Sequence, residues 1–384
     1  MDTHHAGLAG LGSDRSYDRY AQIPQGLARL VLGVLASFLL LAAIAPGYSP
    51  PPPEPPKVTV TDSSGHKVVK DDDNDLRLYR LINQRLARGD DYYVAATEEQ
   101  RKNNYPVAPG FTVRLPTLAV VTLALGPIGL ALLQASLFVA MMLANSRRLG
   151  WEPGGPSRRP MALALLMAGI ASGLSAKYNM VHEIWAAQLM ALSFGLHRPG
   201  QGRWGAAWLA AAAALAVREL SLPFVLLMAA WALWHRRWKE GAAWLALIAL
   251  FGAVLIVHLH LAEAQIRPGD PVSPSWLVLK GISGLMYKIN NSTFLSLVPV
   301  PLAGMLVVLA LFGWTGWRTQ MGTFGALLTL GYGFAFSIAG RDNNFYWGIM
   351  ITPLLFMGAA FLPIALPSLW RAAGLTRARE PALA

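Results

Sequence analysis

The chain has 384 residues, 54% of them hydrophobic and only 14% charged, with a mean hydropathy of +0.40. Soluble domains run near a quarter charged, so this composition lacks the polar surface to coat itself in water. Cysteine is absent, which excludes a disulfide framework, a thiol nucleophile and a thiolate metal site. The net charge of +11 falls in short loops and does not form a nucleic-acid patch.

Residues 1–28 read as a polar cytoplasmic tail. From Leu30 to Ala45 there is no charge, and a run of this length suits a membrane-crossing helix over 29–47. Pro46 and a proline run follow it, so it reads as an uncleaved anchor. Residues 48–126 form a 79-residue polar loop. The loop opens on Pro50-Pro51-Pro52-Pro53-Glu54-Pro55-Pro56, a stiff polyproline spacer. Lys57–Thr61 and His66–Lys70 alternate about Asp62-Ser63-Ser64-Gly65, which predicts a small β-hairpin. Apolar residues at 76, 78, 79, 82 and 86 predict a helix over Asp75–Arg88. Leu115–Leu125 is apolar but ends at Gly126-Pro127, too short to span, and predicts a helix lying on the outer membrane surface.

Apolar runs then predict further spans at 127–145, 160–177, 182–197, 204–217, 219–235, 241–262, 294–313, 321–339 and 345–369, before a second cytoplasmic tail at 370–384. The predicted fold class is an all-α polytopic membrane protein with about ten transmembrane helices and a large extracytoplasmic first loop. Charge placement orients it. With both termini inside, the cytoplasmic segments hold 16 Lys or Arg and the short outer segments six: Lys177, Arg218, Arg267, Lys280, Lys288 and Arg341.

Polar groups at the outward span ends form a set: Lys177, Tyr178, Asn179, His182, Glu183, Arg218, Glu219, Arg341 and Asp342. Charges near a bilayer are costly and mark sites, although helix ends carry charges for ordinary reasons and Arg218-Glu219 also suits a turn. Together they predict an outward polar cavity in which Lys177, Arg218 and Arg341 could hold a phosphate. Asp71-Asp72-Asp73 read as a solvated turn or helix N-terminus in preference to a divalent-cation site.

Asp75-Leu76-Arg77-Leu78-Tyr79-Arg80-Leu81-Ile82, shortly after the first span, resembles the acidic motif of the C-type glycosyltransferases, multispan membrane enzymes that use polyprenyl-phosphate sugars. In that family a second acid usually follows the first, and here Leu76 takes its place. Gly89-Asp90-Asp91-Tyr92-Tyr93, Arg101, Tyr105-Pro106 and Arg114-Leu115-Pro116 follow in the family's order. Gly340-Arg341-Asp342-Asn343-Asn344-Phe345-Tyr346-Trp347, with Pro353 beyond, is similar to its Arg-Tyr…Pro segment near the last spans.

The resemblance implies inverting hexosyl or pentosyl transfer from a polyprenyl-phosphate donor to a glycan, lipid or protein acceptor in the cell envelope. The chain would sit in a bacterial inner membrane, among its lipids, with no cofactor, no metal ion and no nucleic-acid partner. Asp75 would be the general base, and Arg341, with Lys177 or Arg218, would hold the lipid phosphate. Tyr79, Asp91, Tyr92, Arg101, Tyr105, Arg114, His182, Glu183, Asn343 and Tyr346 would contact substrate, His182 and Glu183 equally serving to cap their helix. A transporter or lipid flippase is the non-enzyme alternative, expected to show internal repeats and broken helices in matching halves. A ligase moving a whole lipid-linked glycan is the other.

Overall fold

The computed structural model describes residues 17–44, 59–61, 67–69, 74–198 and 201–375. The polyproline spacer and Asp71–Asp73 lie outside them. Among the described residues the architecture is helical apart from one short hairpin, β1 (Thr59–Thr61) against β2 (Lys67–Val69), paired antiparallel with Val60 opposite Val68. This hairpin falls within the two segments whose alternation predicts it.

Helix α1 (Gln25–Ile44) is the first long apolar element. The polar loop folds as α2 (Asn74–Ala87) and α3 (Tyr92–Lys102). On α2 the apolar positions Leu76, Leu78, Ile82 and Leu86 are buried, as their helical spacing requires. Helix α4 (Thr117–Trp151) breaks at Gly126, whose φ of 65° no helix accommodates, and restarts at Pro127. The short apolar segment before Gly126 is therefore a helix distinct from the long one after it.

There follow α5 (Arg159–Gly169), α6 (His182–Leu196), α7 (Gly205–Val217), α8 (Leu222–Trp234) and α9 (Trp238–Glu263). Then come α10 (Gly281–Asn291), α11 (Val300–Gly316), α12 (Gln320–Ile338), a 3₁₀ run at Asp342–Met350, α13 (Thr352–Gly358) and α14 (Leu362–Ala372).

The expected ten spans are not what the structure contains. Among the described residues, five helical stretches are long and apolar enough to cross a bilayer: 25–44, 110–151, 238–263, 320–338 and 352–372. Four shorter apolar helices, 159–169, 205–217, 219–234 and 300–316, fall below the requirement of about 20 residues. The reason is visible at Gly169. The apolar run 160–171 continues past it, but the helix ends there, where Thr352 Oγ1 donates to Gly169 O at 2.7 Å. A Cβ on Gly169 would come within 2.4 Å of Thr352 O, so only glycine permits this approach. Hydropathy counts apolar residues; it does not count where the helix stops.

The helix ends gather in two groups. At one, Arg19 reaches Thr315 O and Thr323, Trp317 Nε1 donates to Pro153 O, Arg148 pairs with Glu152, and His197 meets Glu240. Arg237 also pairs with Glu240, so the basic residues flanking these helices collect here. At the other end the polar loop packs on the bundle. His258 Nε2 donates to Val113 O (3.1 Å), which leaves Nδ1 to accept from Tyr93 OH (3.2 Å). Arg101 grips Asp270 through two hydrogen bonds of 2.5 and 2.7 Å. These contacts fix the loop against α9 and the segment after it.

Candidate functional site

Two cavities meet where the polar loop covers the bundle. The first, about 480 Å³, lies between α2, α3, the 105–114 segment, Ser273–Trp276 and the 3₁₀ run. The second, about 990 Å³, lies between the start of α2, the 168–184 region, the end of α10 and the same 3₁₀ run. Asp75, Tyr79, Asn343 and Tyr346 line both. They form the partition between them.

Asp75 occupies the first turn of α2, where a carboxylate favours the helix dipole. Its Oδ1 accepts from Tyr105 OH at 2.7 Å. Burial and the Asp75 charge push the Tyr105 phenol far above its ordinary range, so it stays a donor and orients the carboxylate. Tyr79, one turn along α2, is half-buried, and desolvation likewise raises its phenol. Behind the partition, Arg114 donates to Tyr346 OH at 3.2 Å and Tyr79 OH at 3.4 Å. Tyr92 OH donates to Arg114 O at 2.8 Å, which seats the arginine on α3.

The cations separate into distinct roles. Arg218 is 1% exposed and lies between two carboxylates, Glu183 at 2.7 Å and Glu219 at 2.5 Å. It is committed to an ion-pair network in the wall and lines neither cavity, contrary to the expectation that it holds a phosphate. Lys177 is exposed beside the Tyr178 ring and also lines neither. Arg341 is different. It lines the first cavity, donates to Ser273 Oγ at 3.1 Å, and faces the Trp276 ring with its guanidinium 5.6 Å from the centroid. Among the described residues no carboxylate forms an ion pair with it.

Of the expected contact residues, Tyr79, Tyr92, Tyr105, Arg114, Asn343 and Tyr346 line the first cavity and Glu183 the second. His182 lies just behind, its ring edge-on to Tyr79 at 5.1 Å. Two others are not brought to either cavity. Asp91 caps α3, accepting from the amides of Tyr93 (2.9 Å) and Val94 (3.1 Å). Arg101 is spent on Asp270.

The sequence reading passed over Ser273, Trp276 and Lys288. The first two stand in a loop without a motif. Lys288 was counted only as a loop charge, yet it is 1% exposed. Its Nζ donates to Gly340 O (3.2 Å), Phe336 O (3.3 Å) and Gly284 O (3.4 Å). Burial pushes its pKa down to about 8. It ties α10 to the end of α12 and to the turn that presents Arg341. Among the described residues, no group of three His, Asp or Glu side chains is placed to hold a metal ion.

No protein-family model, curated protein or solved structure matches the chain. Five helical stretches long and apolar enough to cross a bilayer, with a mean hydropathy of +0.40, are consistent with an integral membrane protein.

Proposed function

We propose that the chain is a membrane glycosyltransferase that moves a sugar from a polyprenyl-phosphate donor to an acceptor hydroxyl, at the membrane face covered by the polar loop. The observation that carries this reading is Asp75 in the wall shared by two cavities, with Arg341, which forms an ion pair with no carboxylate among the described residues, in one of them. In the reaction, Asp75 takes the proton of the acceptor hydroxyl as its oxygen bonds to the anomeric carbon. The bond from that carbon to the phosphate oxygen breaks, and polyprenyl phosphate leaves with its electron pair against Arg341. Asp75 then returns its proton to solvent. Tyr105 holds the carboxylate in the orientation this step needs. The test is release of polyprenyl phosphate by purified protein in liposomes supplied with polyprenyl-phosphate sugars and candidate acceptors. Absence of acceptor-dependent release across the donor panel would sink the reading.

Arg341→Ala should weaken donor binding by about tenfold or more, the scale of a lost charge-assisted contact of roughly 1.5–3 kcal/mol. Arg341→Lys should recover only part, because the planar fork is lost. Equilibrium binding of a polyprenyl phosphate measures both; unchanged affinity in Arg341→Ala removes this residue from the site.

Orientation follows from charge. The basic residues at the end opposite the cavities favour that end facing the cytoplasm, with the catalytic face extracytoplasmic. Reporter fusions after residues 150, 238 and 318 should report cytoplasm, and fusions near 65 and 275 the opposite side. A cytoplasmic signal at 275 would reverse the assignment.

A further inference from the structure

We propose that the second cavity is the acceptor subsite and that it takes an uncharged, hydroxyl-bearing amphiphile of the neutral-glycolipid class. This deepens the transferase reading and rests on it. The argument is one of charge and of wall chemistry.

Both arginines that reach the cavities, Arg114 and Arg341, line the first. Among the described residues the second has no lysine or arginine in its lining and three carboxylates instead: Asp75, Glu183 and Asp342. A phosphate entering there would meet the uncompensated charge of Asp75 and no lining cation among the described residues, which disfavours the donor's anionic end. A cationic ligand has little to gain either, because Glu183 is neutralised by Arg218 and Asp342 by Lys280. What remains for a ligand is acceptor lone pairs, together with the neutral side chains of Asn291, Ser172 and Thr293. Such groups suit the hydroxyl rim of an uncharged sugar.

Much of the rest of the wall is apolar. Ala171, Val181, Ile184 and Ile349 line it, and at about 990 Å³ it is twice the first cavity in size. Phe294 (45% exposed) and Phe345 (38% exposed) stand at its edge with their rings open to the surroundings. In a membrane protein, exposed aromatic residues beside a cavity suit contact with lipid tails or the membrane interface. A ligand that enters by this edge brings a hydrocarbon tail, and its head reaches Asp75 from the side away from Arg341. Its hydroxyl would then meet the partition from one cavity while the sugar phosphate meets it from the other.

The experiment compares two probes of equal chain length, dodecyl glucoside and dodecyl phosphate. Their binding is measured on the full chain in a polyoxyethylene detergent, by thermophoresis. Ala171→Trp fills the second cavity from an exposed position, and Val181→Phe serves if that variant loses its thermal transition. The filling variant should weaken the glucoside by about tenfold and leave the phosphate unchanged, while Arg341→Ala should do the reverse. Loss of the phosphate with the glucoside untouched in the filling variant would overturn the assignment, as would two probes that ignore the cavity. Binding is read without turnover, so the two ideas fail separately. The expected binding pattern with no transfer to any acceptor refutes the transferase reading alone. Transfer that persists undiminished in Ala171→Trp refutes the acceptor assignment alone.

Discussion

Asp75→Asn is expected to lower turnover by roughly 10²-fold or more, the ordinary scale for loss of a general base. Asparagine is nearly isosteric and still accepts the Tyr105 hydrogen bond, so α2 and donor binding should be unchanged. What it cannot do is take a proton. The same substitution at Asp72, which precedes the helix, should leave turnover as it was. Tyr105→Phe supplies an intermediate case: the carboxylate is retained but loses the 2.7 Å contact that orients it. Initial rates of sugar transfer in liposomes, with donor affinity measured on the same preparations, decide the matter. Full activity in Asp75→Asn, or a larger loss at Asp72, would remove Asp75 from the role.

Arg218→Met is expected to cost about 3–5 kcal/mol of stability, because it strands a buried carboxylate. Glu183 is 2% exposed, and its partner in the wall is Arg218 at 2.7 Å. Removing the guanidinium leaves that charge without compensation in a setting that solvates it poorly. The double variant Glu183→Gln with Arg218→Met should regain part of the loss, since it removes the more buried carboxylate with its partner and leaves only Glu219, 24% exposed, unpaired. Thermal unfolding in detergent would read both. If Arg218→Met unfolded at the wild-type temperature while donor binding fell, Arg218 would return to the site and the wall argument would be wrong.

The loop helices were legible because their signals are local. Leu76, Leu78, Ile82 and Leu86 show their period within one element, and the Gly126-Pro127 break needs no partner. The span count was not legible in the same way. Residues 160–171 are apolar throughout, and the helix nevertheless ends at Gly169, where Thr352, 183 residues away, caps its carbonyl. Asp75 and Arg341 were picked out by motif, and the structure brings both to the first cavity. Motif alone also picked Asp91 and Arg101, which stabilise the loop. For Asp91 a sequence signal existed, since an aspartate immediately before a helix is the usual N-cap. For Arg218 none existed, because its two carboxylates and its burial are tertiary facts. Lys288 was hidden for the reverse reason: nothing in Tyr287-Lys288-Ile289 announces a buried ammonium.

The short apolar helices carry a consequence for the lipid around them. Gly205–Val217 and Leu222–Trp234 are each 13 residues long, roughly 20 Å at 1.5 Å per residue. Both turn large apolar side chains outward, Leu209 at 65% and Leu226 at 48% exposure. A hydrocarbon layer of about 30 Å is thicker than these helices can match. Hydrophobic mismatch of this sign is relieved by local thinning of the bilayer, at a fraction of a kcal/mol per Å. If these two helices cross the bilayer, the leaflets would be drawn together on the flank they form, with lipid headgroups deeper there than elsewhere around the molecule. The chain should therefore favour thin membranes, and its own thin flank lowers the height a lipid phosphate must travel to reach a site at the helix ends.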